Sequence, residues 1–554
     1  MTSPLDVTMT MQRVSSPIFA KHISRILLVI GLLMMLGYFV VYVVYAANLI
    51  RFPFDYDQGE GFELVDTIMF SKGQWPYQDT ETYPFYSSNY PPLFHVIAAP
   101  FVWLFGPAYW YGRLLGFLGT LVSAAAIAYA VYRGGRHRLV AVIAGLAFLA
   151  SNTVYHIGPL FRQHMTMVMF EILAIVVLAH VNEIADKDKR RKQLILGLAL
   201  LLAAGFTKQL AYATALAAFA FLFIRNPRRA IISGAIFGAV GVALIVWIVV
   251  ATDGQWWTQT IAANVNPYNA QQTIGLYRLF WRLHGFLIVP AVLLVLYEFY
   301  FDRLSIYSLW FIAAIANGTL SGKWGAGDSY FATAIAATMI LSGIFISRTL
   351  NRQWHFPENY LSRIFVPPLQ RYAPQLATLA LLIVPFAYIG YGRAVLHLPT
   401  TGPVFEQVAD FLDIEPNAQG NFYDSAGRLV GGYADIGHLT TREDIEAGEA
   451  IVALMNATDA AVLSEEAAFS LRAGRDVITN PTQLLNLANN DLFEGDALID
   501  MIERQEFGLI VMRAQFYPPA VLEAIGQAYQ HDQFIHMNGF DYIIMRPILD
   551  EPLP

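Results

Sequence analysis

Apolar residues run almost unbroken from Ile26 to Ile50, behind Lys21 and Arg25. Ten more apolar runs follow near 108–132, 139–157, 164–181, 193–207, 210–224, 230–251, 284–301, 304–321, 329–347 and 375–396. A helix needs roughly 20 apolar residues to cross the hydrocarbon core of a bilayer, so the runs read as eleven transmembrane helices, the one at 193–207 being short. The first run is longer than the apolar region of a cleaved signal peptide and reads as a retained helix. After Leu398 the pattern changes. Short stretches such as Ala460–Leu463, Phe507–Met512, Gln533–His536 and Tyr542–Met545 read as strands, whereas Arg442–Met455, Pro481–Asn489 and Pro518–Tyr529 read as helices. The expected architecture is a polytopic α-helical membrane body over 1–398, followed by an α/β domain over 399–554.

Composition agrees with that division. The 554 residues are 56% hydrophobic and only 14% charged, against about 25% charged in soluble domains. The net charge of −7 conceals an asymmetry: residues 1–396 hold 28 Lys and Arg against 17 acids, and residues 397–554 hold 7 against 25. With a cytoplasmic N-terminus, 19 of the 27 basic residues before position 375 fall in inward loops or at the N-terminus, Arg13 among them. That bias predicts an N-in topology. An odd number of spans then places loop 51–90 and the acidic C-terminal domain outside. Such a charge distribution offers no nucleic-acid footprint. There is no cysteine, which excludes disulfides and thiolate chemistry. No Gly-rich phosphate loop is present either.

Loop 51–90 carries seven acids: Asp55, Asp57, Glu60, Glu63, Asp66, Asp79 and Glu81. A carboxylate in hydrocarbon costs several kcal/mol, so these residues face water or a polar cavity. Glu63, Asp66, Asp79 and Glu81 read as the solvated face of an interfacial loop and helix. Asp57 and Glu60 stand at the mouth of the first span, three residues apart between glycines. On a helix start that spacing puts both on one side, where one can accept a proton while the other orients an acceptor or holds a divalent cation.

These pieces resemble a known family. The run Phe54-Asp55-Tyr56-Asp57-Gln58-Gly59-Glu60-Gly61 after a first membrane helix is followed by Gly73, Pro76-Tyr77, Tyr90-Pro91-Pro92-Leu93, Leu104-Phe105-Gly106 and Arg113. This order is similar to that of GT-C integral-membrane glycosyltransferases, in particular bacterial relatives of protein O-mannosyltransferase and the aminoarabinose transferase. Phe206-Thr207-Lys208-Gln209 and Gly325-Ala326-Gly327-Asp328-Ser329-Tyr330-Phe331 add to the resemblance. Relatives often have Asp-Glu where this chain has Asp57-Gln58, and Arg-x-Asp where it has Arg162-Gln163-His164.

The resemblance implies transfer of a sugar from a polyprenyl-phosphate donor to a lipid, protein or glycan acceptor at the outer face of the plasma membrane, with inversion. It implies Asp57 as base, with Glu60 as the orienting or metal-binding acid. Arg113, Arg162 and Lys208 fall at predicted outer ends of spans, against the positive-inside bias, and are expected to meet the donor phosphate. Tyr90, His164, Gln209, Asp328 and Tyr330 are the remaining expected substrate contacts. No cofactor is required beyond a possible divalent cation. Two other classes compete: a flippase of lipid-linked sugar, which needs polar groups at midplane depth, and a non-catalytic anchor displaying the C-terminal domain.

Overall fold

The computed structural model describes residues 18–357, 359–416, 421–427, 437–513 and 515–548. Arg13, counted above among the inward charges, lies outside them. Every one of the eleven apolar runs falls on helix. The helices in chain order are α1 (Ile18–Arg51), α2 (Glu60–Ser71), α3 (Leu93–Phe105), α4 (Trp110–Gly135), α5 (Arg138–Leu149), α6 (Asn152–Ile157) and α7 (His164–Ala179). They continue with α8 (Lys187–Thr207), α9 (Tyr212–Arg225), α10 (Pro227–Ala251), α11 (Gln255–Thr260), α12 (Ala270–Phe301), α13 (Ile306–Asn317) and α14 (Ala332–Asn351). Six helical stretches are long and apolar enough to cross a bilayer alone: α1, α4, α10, α12, Asp328–Asn351 and Pro374–Ala394. The helices α3, α5, α7, α9 and α13 are apolar but shorter.

The way α1 packs shows how such helices sit. Its buried residues Leu28, Gly31, Met35, Tyr38, Tyr42, Tyr45 and Leu49 recur every three or four positions and form one seam. Ile26, Val29, Leu33 and Val40 on its other faces are exposed, an apolar surface that lipid covers. Burial also orders the bundle: 83% of the apolar window of Asp328–Asn351 is buried against 6% for α10, so the former is the central helix and the latter is peripheral. Two acids inside apolar runs are settled by hydroxyl and amide donors. Glu171 on α7 accepts from Thr214 and Thr333 at 2.5 and 2.6 Å, and Glu298 on α12 accepts from Ser305 N and Ser308 Oγ, both at 2.7 Å.

The C-terminal segment has the predicted strands and more. Strands β1 (His397–Pro399) and β2 (Phe422–Asp424) pair antiparallel. β3 (Ala461–Ser464), β4 (Phe507–Met512), β5 (Tyr529–Met537) and β6 (Phe540–Pro547) form a sheet in the order β3-β4-β6-β5, with only β3 and β4 parallel. The apolar run of β4 suits its central, buried place, while the polar β5 is an edge strand whose middle is exposed. The predicted helices appear at Arg442–Asn456, Pro481–Ala488 and Pro519–Ala528, the first opened by a Thr441–Asp444 capping box. The two parts nevertheless share a core. Phe54, just after α1, packs 5.6 Å from Phe469, and Tyr155 on α6 stacks on Phe422 at 5.7 Å.

Candidate active site

The turn between α1 and α2 is built around Arg113 of α4. Its guanidinium has five N–H donors, and all five have acceptors: Glu60 Oε1 at 3.0 Å and Oε2 at 2.7 Å, and the carbonyls of Leu49, Phe52 and Phe54 at 2.8, 2.5 and 2.7 Å. Glu60 also accepts from the backbone N–H of Phe161 at 2.6 Å and of Tyr56 at 3.1 Å. Both side chains are fully buried. Burial alone would raise the Glu60 carboxyl, but the Arg113 charge and these hydrogen bonds outweigh it and hold the group below the usual range. This pair fixes the chain just after the membrane.

Asp57 stands at the apex of the turn and is more accessible, its side chain 9% exposed. Arg162, from the segment before α7, reaches its Oδ2 through Nε at 2.8 Å and Nη2 at 2.6 Å, reaches Glu63 Oε1 at 3.4 Å, and donates to the Gln58 carbonyl. Gly59 makes that approach possible. Its φ is +102°, and a Cβ there would lie 2.8 Å from Arg162 Nη2. Burial raises the Asp57 carboxyl against the opposing pull of Arg162. Glu63 is pushed up to about 7 by burial, with Arg162 and the hydrogen bond from Gln163 at 2.6 Å opposing.

Lys208 caps the end of α8 on the other side of Arg162. Its ammonium is in close contact with His164 Nε2 and lies 4.9 and 5.9 Å from the ring centroids of Tyr90 and Tyr330. Among the described residues it makes no ion pair, whereas Arg162 is bound to acids. Nearby, Asp328 accepts from Thr153 at 2.6 Å and lies 3.7 Å from His156 Nε2. Gln209 donates to the carbonyls of Asn89 and Thr260 at 3.3 and 3.1 Å and ties the Tyr90 loop to the α11 region.

The C-terminal segment closes one side of the turn. Ala468 N donates to Asp55 at 3.3 Å, and Asp55 also accepts from Tyr109 at 2.8 Å. Tyr56 donates its hydroxyl to the His438 carbonyl at 2.8 Å, accepts from Gly437 N at 2.7 Å, and offers its own carbonyl to Asn538 Nδ2 at 3.1 Å. Among the described residues, four buried side-chain atoms on chain neighbours of Asp57 and Arg162 have no hydrogen-bond partner: both amide atoms of Gln58, Oε1 of Gln163 and Nδ1 of His164.

Comparison with known proteins places the fold. Residues 89–256 match the family model described as dolichyl-phosphate-mannose-protein mannosyltransferase. ArnT from Cupriavidus metallidurans in the apo state superposes with a TM-score of 0.57 at 13% identity, over 93% of this chain and 97% of that one. The same protein bound to undecaprenyl phosphate gives 0.54 at 14% identity over the same shares. The apo oligosaccharyltransferase of Archaeoglobus fulgidus gives 0.52 at 12% identity, over 93% of this chain and 74% of that one. The chain has the GT-C fold. No curated protein sequence matches it. The GT-C fold and the six long apolar helices make it a multi-pass membrane protein.

Within this GT-C chain the expected site residues separate into two groups. Asp57, Arg162, His164, Lys208, Tyr90 and Tyr330 converge, and Asp328 joins them through α6. Glu60 and Arg113 do not. Glu60, expected as metal-binding or acceptor-orienting acid, and Arg113, expected as phosphate contact, each have their bonding groups occupied by the other and by backbone. Gln209 braces loops rather than facing the centre. Arg162 meets acids where a phosphate contact was expected. Glu63 and Asp66, expected on a solvated face, are each only 3% exposed. Sequence reasoning missed them although Glu60, Glu63 and Asp66 recur every third residue, a spacing that puts three acids on one side of α2.

Proposed function

We propose that this GT-C chain is a glycosyltransferase that moves a sugar from a polyprenyl-phosphate donor to an acceptor hydroxyl or amine at the outer face of the membrane. The reading is carried by Gln58, Gln163 and His164, chain neighbours of Asp57 and Arg162, whose four buried polar atoms have no hydrogen-bond partner among the described residues. Buried polar atoms are nearly always hydrogen-bonded, so this set supports a polar ligand at this position. Asp57 takes the acceptor proton as the acceptor attacks the anomeric carbon, and displacement of the lipid phosphate from the opposite face inverts that centre. Arg162 fixes the Asp57 carboxylate. Lys208, with no acid of its own, meets the charge that develops on the departing phosphate, and Tyr90 and Tyr330 line its approach.

ArnT of Cupriavidus metallidurans binds undecaprenyl phosphate, which agrees with a lipid-phosphate donor here. The outward orientation is supported by the 19 basic residues placed inward. Purified protein incubated with a panel of polyprenyl-phosphate sugars and candidate acceptors is expected to consume at least one donor. Asp57→Asn should reduce turnover by about 10²–10⁴-fold with donor binding retained. Full turnover in that variant would refute the role of Asp57.

A further inference from the structure

A second polar cluster lies behind Glu63, on the face of α2 that packs against α3. Glu63, Asp66 and His95 each offer a ligand atom within 4.8 Å of the others, and all three are buried. His95 Nε2 lies 3.3 Å from Glu63 Oε2 and 3.7 Å from Asp66 Oδ2, and among the described residues it has no hydrogen-bond partner. The tautomer follows from its neighbour. Thr67 Oγ1 donates its only proton to the Glu63 carbonyl at 2.7 Å, so its 3.3 Å contact with His95 Nδ1 requires Nδ1–H to be the donor. Nε2 then points a lone pair at two carboxylate oxygens. Three electron-rich atoms facing one another in a buried site repel unless a proton or a metal cation stands among them.

The ligands are braced as metal ligands are. Asp66 accepts from Tyr86 at 2.8 Å and Ser88 at 2.5 Å, Glu63 Oε2 accepts from Gln163 at 2.6 Å, and His95 is held through Nδ1. Two ligands about 2.0–2.1 Å from a tetrahedral ion stand about 3.3 Å apart, close to the two separations from His95 Nε2. One imidazole and two carboxylates suit zinc better than calcium or magnesium, which favour all-oxygen sets.

We propose that Glu63, Asp66 and His95 bind a divalent transition-metal ion, zinc by its donor set. The ion sits behind the Asp57–Arg162 pair and is joined to it through Glu63, which Arg162 also touches. It braces the packing of α2 on α3 and takes no part in the transfer itself. The site is distinct from the Asp57 and Glu60 pair at the mouth of the first span.

The test reads metal, independently of any transfer activity. The full chain, purified in detergent, is incubated with Zn²⁺, desalted, and its metal measured by plasma mass spectrometry, with unfolding followed in parallel with and without chelator. The expected result is about one zinc per chain and a lower unfolding temperature after chelation. His95→Gln and Asp66→Asn should each reduce bound zinc to below about a tenth per chain, and Asp57→Asn should leave it unchanged. A wild-type protein that takes up no zinc, with unfolding indifferent to chelator, overturns the proposal and makes the cluster a proton-sharing one. Zinc retained by both the His95 and the Asp66 variants overturns it equally.

Discussion

Replacing Glu60 by Gln tests whether this acid positions the turn or performs chemistry. The substitution keeps shape and removes one charge, leaving the Arg113 guanidinium buried against neutral groups. In the native chain that guanidinium holds both Glu60 oxygens, at 3.0 and 2.7 Å, with neither side chain exposed. Breaking a buried pair from one side costs about 3–5 kcal/mol, a large part of the roughly 5–15 kcal/mol by which folded proteins are stable. Glu60→Gln should therefore unfold markedly more easily than wild type. The double variant E60Q/R113M should recover at least half of the loss, because removing both partners removes the unpaired charge. Unfolding in detergent, followed by the fluorescence of the 10 tryptophans, measures both variants against wild type. An E60Q variant with wild-type stability and no turnover would refute the positioning role and return Glu60 to the chemistry.

Four further outcomes follow from the same geometry. Because a base must be ionised and burial raises the Asp57 carboxyl, kcat/KM should be full at high pH and fall as pH drops through that raised value, above the ordinary Asp range near about 4; R162K should move this acid limb. K208Q should lower kcat by about 10²-fold with modest change in fold, read by turnover at saturating donor. Gly59→Ala places a methyl 2.8 Å from Arg162 at φ +102° and should cost about 1–2 kcal/mol in unfolding experiments together with a loss of kcat/KM. Because the chain has no cysteine, E503C should react with an impermeant maleimide in intact cells and R303C should not; the reverse labelling would invert the topology.

What the sequence made legible was local. Apolar runs announce helices through neighbours three and four residues away, and the strands around Val462, Ile510 and Ile544 announce themselves by short apolar stretches bounded by turn residues. Asp57 stood out because its glycines and its place after the first span are adjacent in sequence. What sequence did not show are partners far along the chain. Glu60 finds Arg113 53 residues on, and Glu63 finds Arg162 99 residues on. An acid whose cation lies that far away looks, in sequence, like an acid in water. Arg113 and Arg162 were conspicuous as cations on the unfavoured side, but hydropathy does not say which anion each one meets.

The hydrogen bond from Asn538 to Tyr56 joins residues 482 positions apart. Synthesis proceeds at about 5–20 residues per second, so the Asp57 turn waits roughly 25–100 s in the membrane before its last brace leaves the ribosome. The turn that holds Asp57 is among the first parts of the chain to be made and among the last to be completed. A truncated or stalled chain therefore carries the acid without the surroundings that hold it, and a nascent chain meets the lipids around it with its site unfinished.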